Sequence, residues 1–295
     1  GRDASSSLHR AYRHLARVVR GARKGKAVAM PIIQSLLDVD FYKFTMGQMV
    51  FLRYPDVTVT YALTNRTRDV RLADIVDRDE LRAELDHARS LRFNNSELHY
   101  LRGTNEYGGR MFTEDYLEFL RQLRLPDYEL EEEEGSFPMR FHGLWSEAIY
   151  WETIALALLN ELYNRSLLRK LSAFEQDLVY ARGKVRLAEK IRTLREHPEI
   201  EFVDFGTRRR FSREWQHYVD RVLAVELPGQ FAGTSATESA MLHGLVPMGT
   251  YAHELYMVMS SIMHESDDRI RASHNRVLKD WWELYGWGLS IALTD

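Results

Sequence analysis

The apolar positions of the chain change rhythm several times, and each change predicts an element. Phe44 to Leu52 carries apolar residues at helical spacing, and after the turn residues Tyr54-Pro55-Asp56 the stretch Val57 to Leu63 alternates like a strand. Helices are expected over 76–91 and 113–123. A second strand is expected near Phe137 to Phe141, behind an acidic run from Glu129 to Gly135 that reads as a solvated loop. From Ser146 to Asn164 the chain is apolar nearly all round, with Ile149, Trp151, Ile154, Leu158 and Leu162 on more than one face. A helix of that kind is buried and should form the spine between two layers. Phe174, Leu178, Ala181, Val185, Ala188 and Ile191 then recur at three and four residues, which predicts an amphipathic helix ending near His197-Pro198.

From there short apolar strands alternate with polar turns and helical segments: Glu201 to Phe205, Gln230 to Ser235, Val246 to Thr250 and Leu289 to Thr294. Repeated βα units imply a parallel sheet or barrel whose chemistry gathers at strand C-termini. Candidate groups therefore fall at Thr207 to Arg210, Thr234-Ser235, Thr250 to Glu254 and Thr294-Asp295. Four parallel strands do not close a barrel and no covering helix follows the last, so the sequence reads as cut short. The expected organisation is α/β: a basic tail over 1–30, an α+β domain over 31–145 and an incomplete parallel α/β barrel over 146–295.

With 295 residues and 45% hydrophobic content the chain can bury a sizeable core, and no apolar run approaches the roughly 18 residues of a membrane span. The absence of cysteine excludes disulfides, thiolate metal sites and thiol catalysis, and fits a reducing, cytoplasmic setting. The net charge of −3 hides an asymmetry, because eight Lys/Arg and one acid in residues 1–30 give the tail +7 and leave the remainder at −10. So acidic a body is not a general nucleic-acid binder. The tail reads as disordered or as an extension upstream of a natural start at Met30, with a transit peptide or a polyanion-binding arm as the alternatives.

Three motifs carry chemistry. Phe205-Gly-Thr-Arg-Arg-Arg210 sets three guanidiniums after a strand and before a helix start, a suitable place for an acidic substrate. His253, in Gly249-Thr-Tyr-Ala-His-Glu254, has a neighbouring carboxylate that could orient the imidazole as a base or as a nucleophile toward phosphorus. Gly233-Thr-Ser235 offers hydroxyls at a strand end. Neither His-Glu pair has the second histidine of a zinc hydrolase, since Met257 and Asp268 stand there, so no protein-held metal is expected.

Taken in order, Leu36-Leu-Asp-Val-Asp-Phe-Tyr-Lys43, Trp145-Ser-Glu147 with Trp151-Glu152, Asp204 to Ser212, Phe231-Ala-Gly-Thr-Ser235 and Pro247 to Glu254 resemble the nicotinate phosphoribosyltransferase family from about Ile32 to Asp295. The resemblance implies a cytoplasmic enzyme of NAD salvage with a type II phosphoribosyltransferase barrel. It would join nicotinate to phosphoribosyl pyrophosphate, with ATP hydrolysis coupled through a phosphorylated His253 and Mg2+ accompanying the polyphosphates. It also implies that Arg208 holds the nicotinate carboxylate or a nearby phosphate and that Phe205 packs on the pyridine ring. Thr207 belongs to the same motif, and Thr234 and Ser235 would line the ring pocket. Tyr42 would stack on the ring's other face, reaching in from the partner of a homodimer. Two departures stand out: Ala236 replaces the family's usual Asn, and the family's later phosphate-binding segments are absent. A non-catalytic relative serving as a dimerisation or ligand-binding partner is the alternative reading.

Overall fold

The computed structural model describes residues 30–65, 67, 69–106 and 108–291. The expectations for the basic tail up to residue 29 and for Thr294-Asp295 lie outside the described residues. The first helix, α1 (Tyr42–Arg53), is buried from Tyr42 to Val50 because later elements close around it. Strand β1 (Thr58–Leu63) follows with the alternating burial its sequence predicts. Helix α2 (Arg78–Ser90) is capped by Asp77, and α3 (Asn95–Gly103) starts on a reciprocal capping box between Asn94 and Glu97. A short hairpin, β2 (Asn105–Glu106) and β3 (Gly109–Arg110), leads to α4 (Glu114–Gln122).

Strands β4 (Tyr128–Leu130) and β5 (Met139–Leu144) complete an antiparallel sheet of order β1-β5-β4, with Tyr61 opposite Phe141. The apolar stretch after it forms α5 (Trp145–Ala148) and α6 (Trp151–Leu168), and α6 is buried on several faces, as its all-round pattern predicts. Helix α7 (Ala173–Arg195) departs from its pattern. Leu187 and Ile191 are buried with Leu223, Leu227 and Phe231 in a small separate core, whereas Phe174 is 70% and Val185 57% exposed.

Then come β6 (Phe202–Asp204), a 3-10 turn at Thr207–Arg209, α8 (Arg213–Glu226), β7 (Phe231–Thr234), α9 (Thr237–His243), α10 (Glu254–Ile262) and α11 (Asp267–Tyr285). β6 and β7 pair in parallel, with Asp204 opposite Thr234. The expected strand over 246–250 contributes a single parallel bridge, Thr234 to Pro247, since a proline cannot donate to the ladder. At the end of the chain, Gly286–Leu289 is a 3-10 turn where a strand was expected to begin. Among the described residues the parallel sheet is two strands and one bridge, so the barrel is not formed.

The main core draws side chains from Ile32 through to Leu289. Among the described residues no helix is long and apolar enough to cross a membrane.

Candidate active site

Residues from both ends of the sequence meet where α1 begins and β6 and β7 end. Asp40 bridges to Ala236 through the backbone, and Phe41 N–H donates to the Ser235 carbonyl at 2.7 Å. The Asp40 carboxylate accepts from Ser235 Oγ at 2.6 Å and from the Tyr42 hydroxyl at 3.0 Å. These bonds fix Tyr42 beside the end of β7. Gly249, at φ 154°, passes so close that an added Cβ would lie 3.0 Å from the Tyr42 nitrogen.

Facing Tyr42 is Phe205, at the C-terminal end of β6. Their ring centroids are 6.5 Å apart with planes 19° from parallel, and Phe205 is 58% exposed. One planar ring sandwiched between two others needs about 7 Å, two carbon contacts of roughly 3.5 Å each. The centroid separation falls short of that, so exposed Phe205 would have to move outward to admit a ring. Tyr42 was expected to reach this ring from a partner subunit; here the chain's own Tyr42 faces its own Phe205, because the Asp40 to Ser235 bonds bring the start of α1 to β7 within one chain.

The three arginines of the motif divide. Arg210 is buried and makes a bidentate pair with Asp38, including a 2.8 Å bond from NH2 to Oδ2. Arg208 is partly exposed: its NH1 donates to Glu152 Oε1 at 2.8 Å, its Nε lies 3.6 Å from Asp40, and its guanidinium sits 5.9 Å from the Tyr42 ring centre. Arg209 is exposed and has no carboxylate within ion-pair distance among the described residues.

Behind Arg208 lies a chain of charges that the sequence reading missed. Lys43, wholly buried, bonds Glu152 and Glu254, and Glu254 also accepts from the Tyr61 hydroxyl and from Trp145 Nε1 at 3.1 Å. Burial works to lower the Lys43 pKa, but the charges of Glu254 and Glu152 outweigh it and hold the amine above its usual value. Burial likewise works to raise Glu152, yet Lys43 and then Arg208 pull it down to about 2. Burial and Asp40 raise the Tyr42 pKa, so its hydroxyl remains a donor. Lys43, Glu152 and Glu254 all stand inside the quoted motifs, but charge pairs 109 and 211 residues apart leave no periodic signal.

His253 is exposed at the start of α10. The sequence suggested that Glu254 orients it; instead the Glu254 carboxylate is taken by Lys43, Tyr61 and Trp145. Thr207, Thr234 and Ser235 are fully buried. Thr234 Oγ1 accepts from Ala236 N–H at 3.1 Å and Ser235 serves Asp40, so both hydroxyls brace the turn. Thr207 Oγ1 is buried without a hydrogen-bond partner among the described residues.

A cavity of about 670 Å3 opens beside the ring pair, lined by residues of β1 and α6 together with Arg208, Arg209 and His253. No group of three acidic or histidine ligands that could hold a metal occurs among the described residues.

Comparison with known proteins points to nicotinate phosphoribosyltransferases. The nicotinate phosphoribosyltransferase N-terminal domain matches residues 37–160, and the nicotinate phosphoribosyltransferase family matches residues 200–295. Among solved structures, a nicotinate phosphoribosyltransferase from Vibrio cholerae is 28% identical with a TM-score of 0.71, over 87% of this chain and 58% of that one. A putative nicotinate phosphoribosyltransferase from Saccharomyces cerevisiae is 28% identical with a TM-score of 0.76, over 90% and 65%. The enzyme from Porphyromonas gingivalis is 27% identical with a TM-score of 0.70, over 88% and 62%. The chain thus spans 58–65% of the length of these relatives.

Proposed function

Because the chain belongs to the nicotinate phosphoribosyltransferase family, we propose that it acts in joining nicotinate to phosphoribosyl pyrophosphate, and that the gap between Tyr42 and Phe205 is where the pyridine ring binds. The observation that carries this reading is that near-parallel pair, 6.5 Å apart, with a guanidinium at its edge. Stacking on both faces takes up a flat ring, while Arg208 offers N–H donors to a carboxylate. Nicotinamide, lacking that charge, would gain less from the same guanidinium.

In the reaction the ring nitrogen's lone pair forms a bond to C1 of the ribosyl group as the C1–O bond breaks and pyrophosphate leaves with its electrons. The residues here hold and orient the nucleophile. Tyr42 is kept in place by Asp40, and Arg208 is kept in place by Glu152, itself fixed by Lys43. His253, exposed on the cavity wall, is the proposed phosphoryl acceptor: its imidazole nitrogen bonds to the γ-phosphorus of ATP while the P–O bond to ADP breaks. Mg2+ would be held by the polyphosphate oxygens and water, neutralising their charge. A homodimer is proposed as well.

The test is incubation of the folded chain with γ-labelled ATP, nicotinate, phosphoribosyl pyrophosphate and Mg2+, following acid-labile label on the protein and nicotinate mononucleotide formed. Both are expected. Nicotinate binding with neither product favours the non-catalytic, ligand-binding reading, and a folded chain that binds no nicotinate contradicts the proposal.

A further inference from the structure

We propose that Gln216 is a positioning residue for the ring gap, tying the turn that carries Phe205 to the charge state of Asp220 buried behind it. Three observations point there. First, the start of the turn hangs on one carboxylate. Asp204, the last residue of β6, accepts through Oδ2 from Gly206 N–H at 3.0 Å and from Gln216 Nε2 at 2.6 Å, and the same oxygen lies 3.4 Å from Thr234 Oγ1. The Gly206 carbonyl in turn accepts from Arg209 N–H at 3.1 Å. The far end of the turn is fixed by α6, where Asn160 Nδ2 donates to the Arg208 carbonyl at 3.0 Å. Phe205 itself is mostly exposed, so its place depends on this backbone more than on packing.

Second, Gln216 is wedged against that start. A Cβ added at Gly206 would lie 2.4 Å from Gln216 Oε1 and 3.2 Å from Asp204 Oδ2, so the amide occupies the space a side chain would need. Glycine is required there by close approach and not by its backbone angle, since φ is −86°. Gln216 is buried one helical turn before Asp220 on α8, and its Nε2 also donates to Asp220 Oδ1 at 3.0 Å. A single amide group thus spans the two carboxylates.

Third, Asp220 is wholly buried with acids on one side of it. The charged groups facing it are Asp204 from β6, with Asp40 of the residues before α1 beyond that, and His217 from its own helix. From α9, Ser239 Oγ donates to it at 2.6 Å, while Glu238 is held by Arg213 at 2.9 Å and His217 bonds His243. Burial and the Asp204 charge together push Asp220 up to about 7. When Asp220 carries its proton, Gln216 serves each acid with one N–H and the added proton can be given to Ser239 Oγ. When Asp220 ionises, two negative charges share one amide, and their repulsion acts on the carboxylate that holds Gly206. That the turn positions a pyridine ring rests on the function proposed above; the link between Asp220 and the turn does not.

The test is hydrogen–deuterium exchange of the full chain at pH 6 and pH 8 without ligand, for the wild type, Asp220→Asn and Gln216→Met, with nicotinate titrated calorimetrically in parallel. Exchange is expressed as protection relative to an unfolded chain at the same pH. In the wild type, protection of segment 205–211 should fall by up to about tenfold between pH 6 and pH 8, while that of α6 changes less. Asp220→Asn should hold the protection of the segment nearly constant, because an amide cannot ionise and can still accept from Gln216. Gln216→Met should lower it at both pH values and remove the difference between them. Since the neighbouring histidines are kept in every variant, the contrast between wild type and Asp220→Asn isolates Asp220. Nicotinate affinity should follow the same order. Protection of the segment that does not change with pH in the wild type, an equal change in Asp220→Asn, or an equal fall in α6 would each overturn the inference, whether or not Gln216→Met folds. Failure of nicotinate to bind at either pH would count against the proposed function and leave the exchange result to decide this one.

Discussion

The rings of Tyr42 and Phe205 face each other nearly in parallel across 6.5 Å, although 163 positions separate them in the sequence. Tyr42 is buried and braced by Asp40, whereas Phe205 is largely open to solvent. One wall of the gap is thus fixed and the other adjustable, which suits a flat ligand that enters from outside.

Phe205→Ala should therefore weaken nicotinate binding by about 1 kcal/mol, or roughly fivefold in Kd, with little change in stability because the side chain is mostly exposed. Titration calorimetry with a parallel thermal melt checks both halves of this expectation. A large loss of Tm would show instead that Phe205 is a packing residue.

Lys43→Met removes the buried cation between half-buried Glu152 and buried Glu254 and leaves the two carboxylates facing each other, Glu152 still held by Arg208. Breaking a buried ion pair in this way costs about 3–5 kcal/mol. Urea unfolding should register that loss, and adding Glu254→Gln to Lys43→Met should recover part of it. Equal stability of Lys43→Met and the wild type would contradict the arrangement.

Several elements of this site were legible in the sequence, and the reason differs from one to the next. The alternation of Val57 to Leu63 and the all-round apolar run after Ser146 report local burial, and both became the elements they predict. The Arg motif falls just after β6 because a strand end followed by glycine and a helix start is a local signal. By contrast, the division of labour among Arg208, Arg209 and Arg210 depends on Glu152, Asp40 and Asp38, partners 56 to 172 residues away. Adjacent Glu254 looked like the partner of His253, but a helix start points neighbouring side chains in different directions. Segment 246–250 has strand-like apolar residues, yet Pro247 limits it to one bridge.

Asp220 gives the fold a pH dependence. It is buried beside Asp204 and accepts from Ser239 Oγ at 2.6 Å and Gln216 Nε2 at 3.0 Å; burial, then the Asp204 charge, pushes it up from 3.8 to about 7. The folded state thus holds a proton that the unfolded chain has released, so this contribution is full below about 3.8 and is lost as pH rises through about 7. Asp220→Asn should flatten that fall and leave the variant more stable than the wild type at pH 8, as read by urea unfolding at pH 5 and pH 8. Glu152 acts in the opposite sense and lower, its contribution present above about 4.5 and lost as pH falls toward 2.

His253 is exposed and carries no part of the core. His253→Ala should keep the melting temperature within about 1 °C, as expected for surface substitutions. It should also abolish acid-labile labelling by γ-labelled ATP and any ATP stimulation of turnover. Unchanged ATP stimulation in that variant would refute the phosphohistidine role.

The central claim is that a pyridine carboxylate is gripped between Tyr42 and Phe205 with Arg208 at its edge. The most direct measurement is the ratio of nicotinamide to nicotinate dissociation constants in the wild type and in Arg208→Gln. The wild type should favour nicotinate by about tenfold or more, and Arg208→Gln should bring the ratio close to one. A folded wild type that binds the two equally, or an Arg208→Gln variant that discriminates as well as the wild type, would contradict the account.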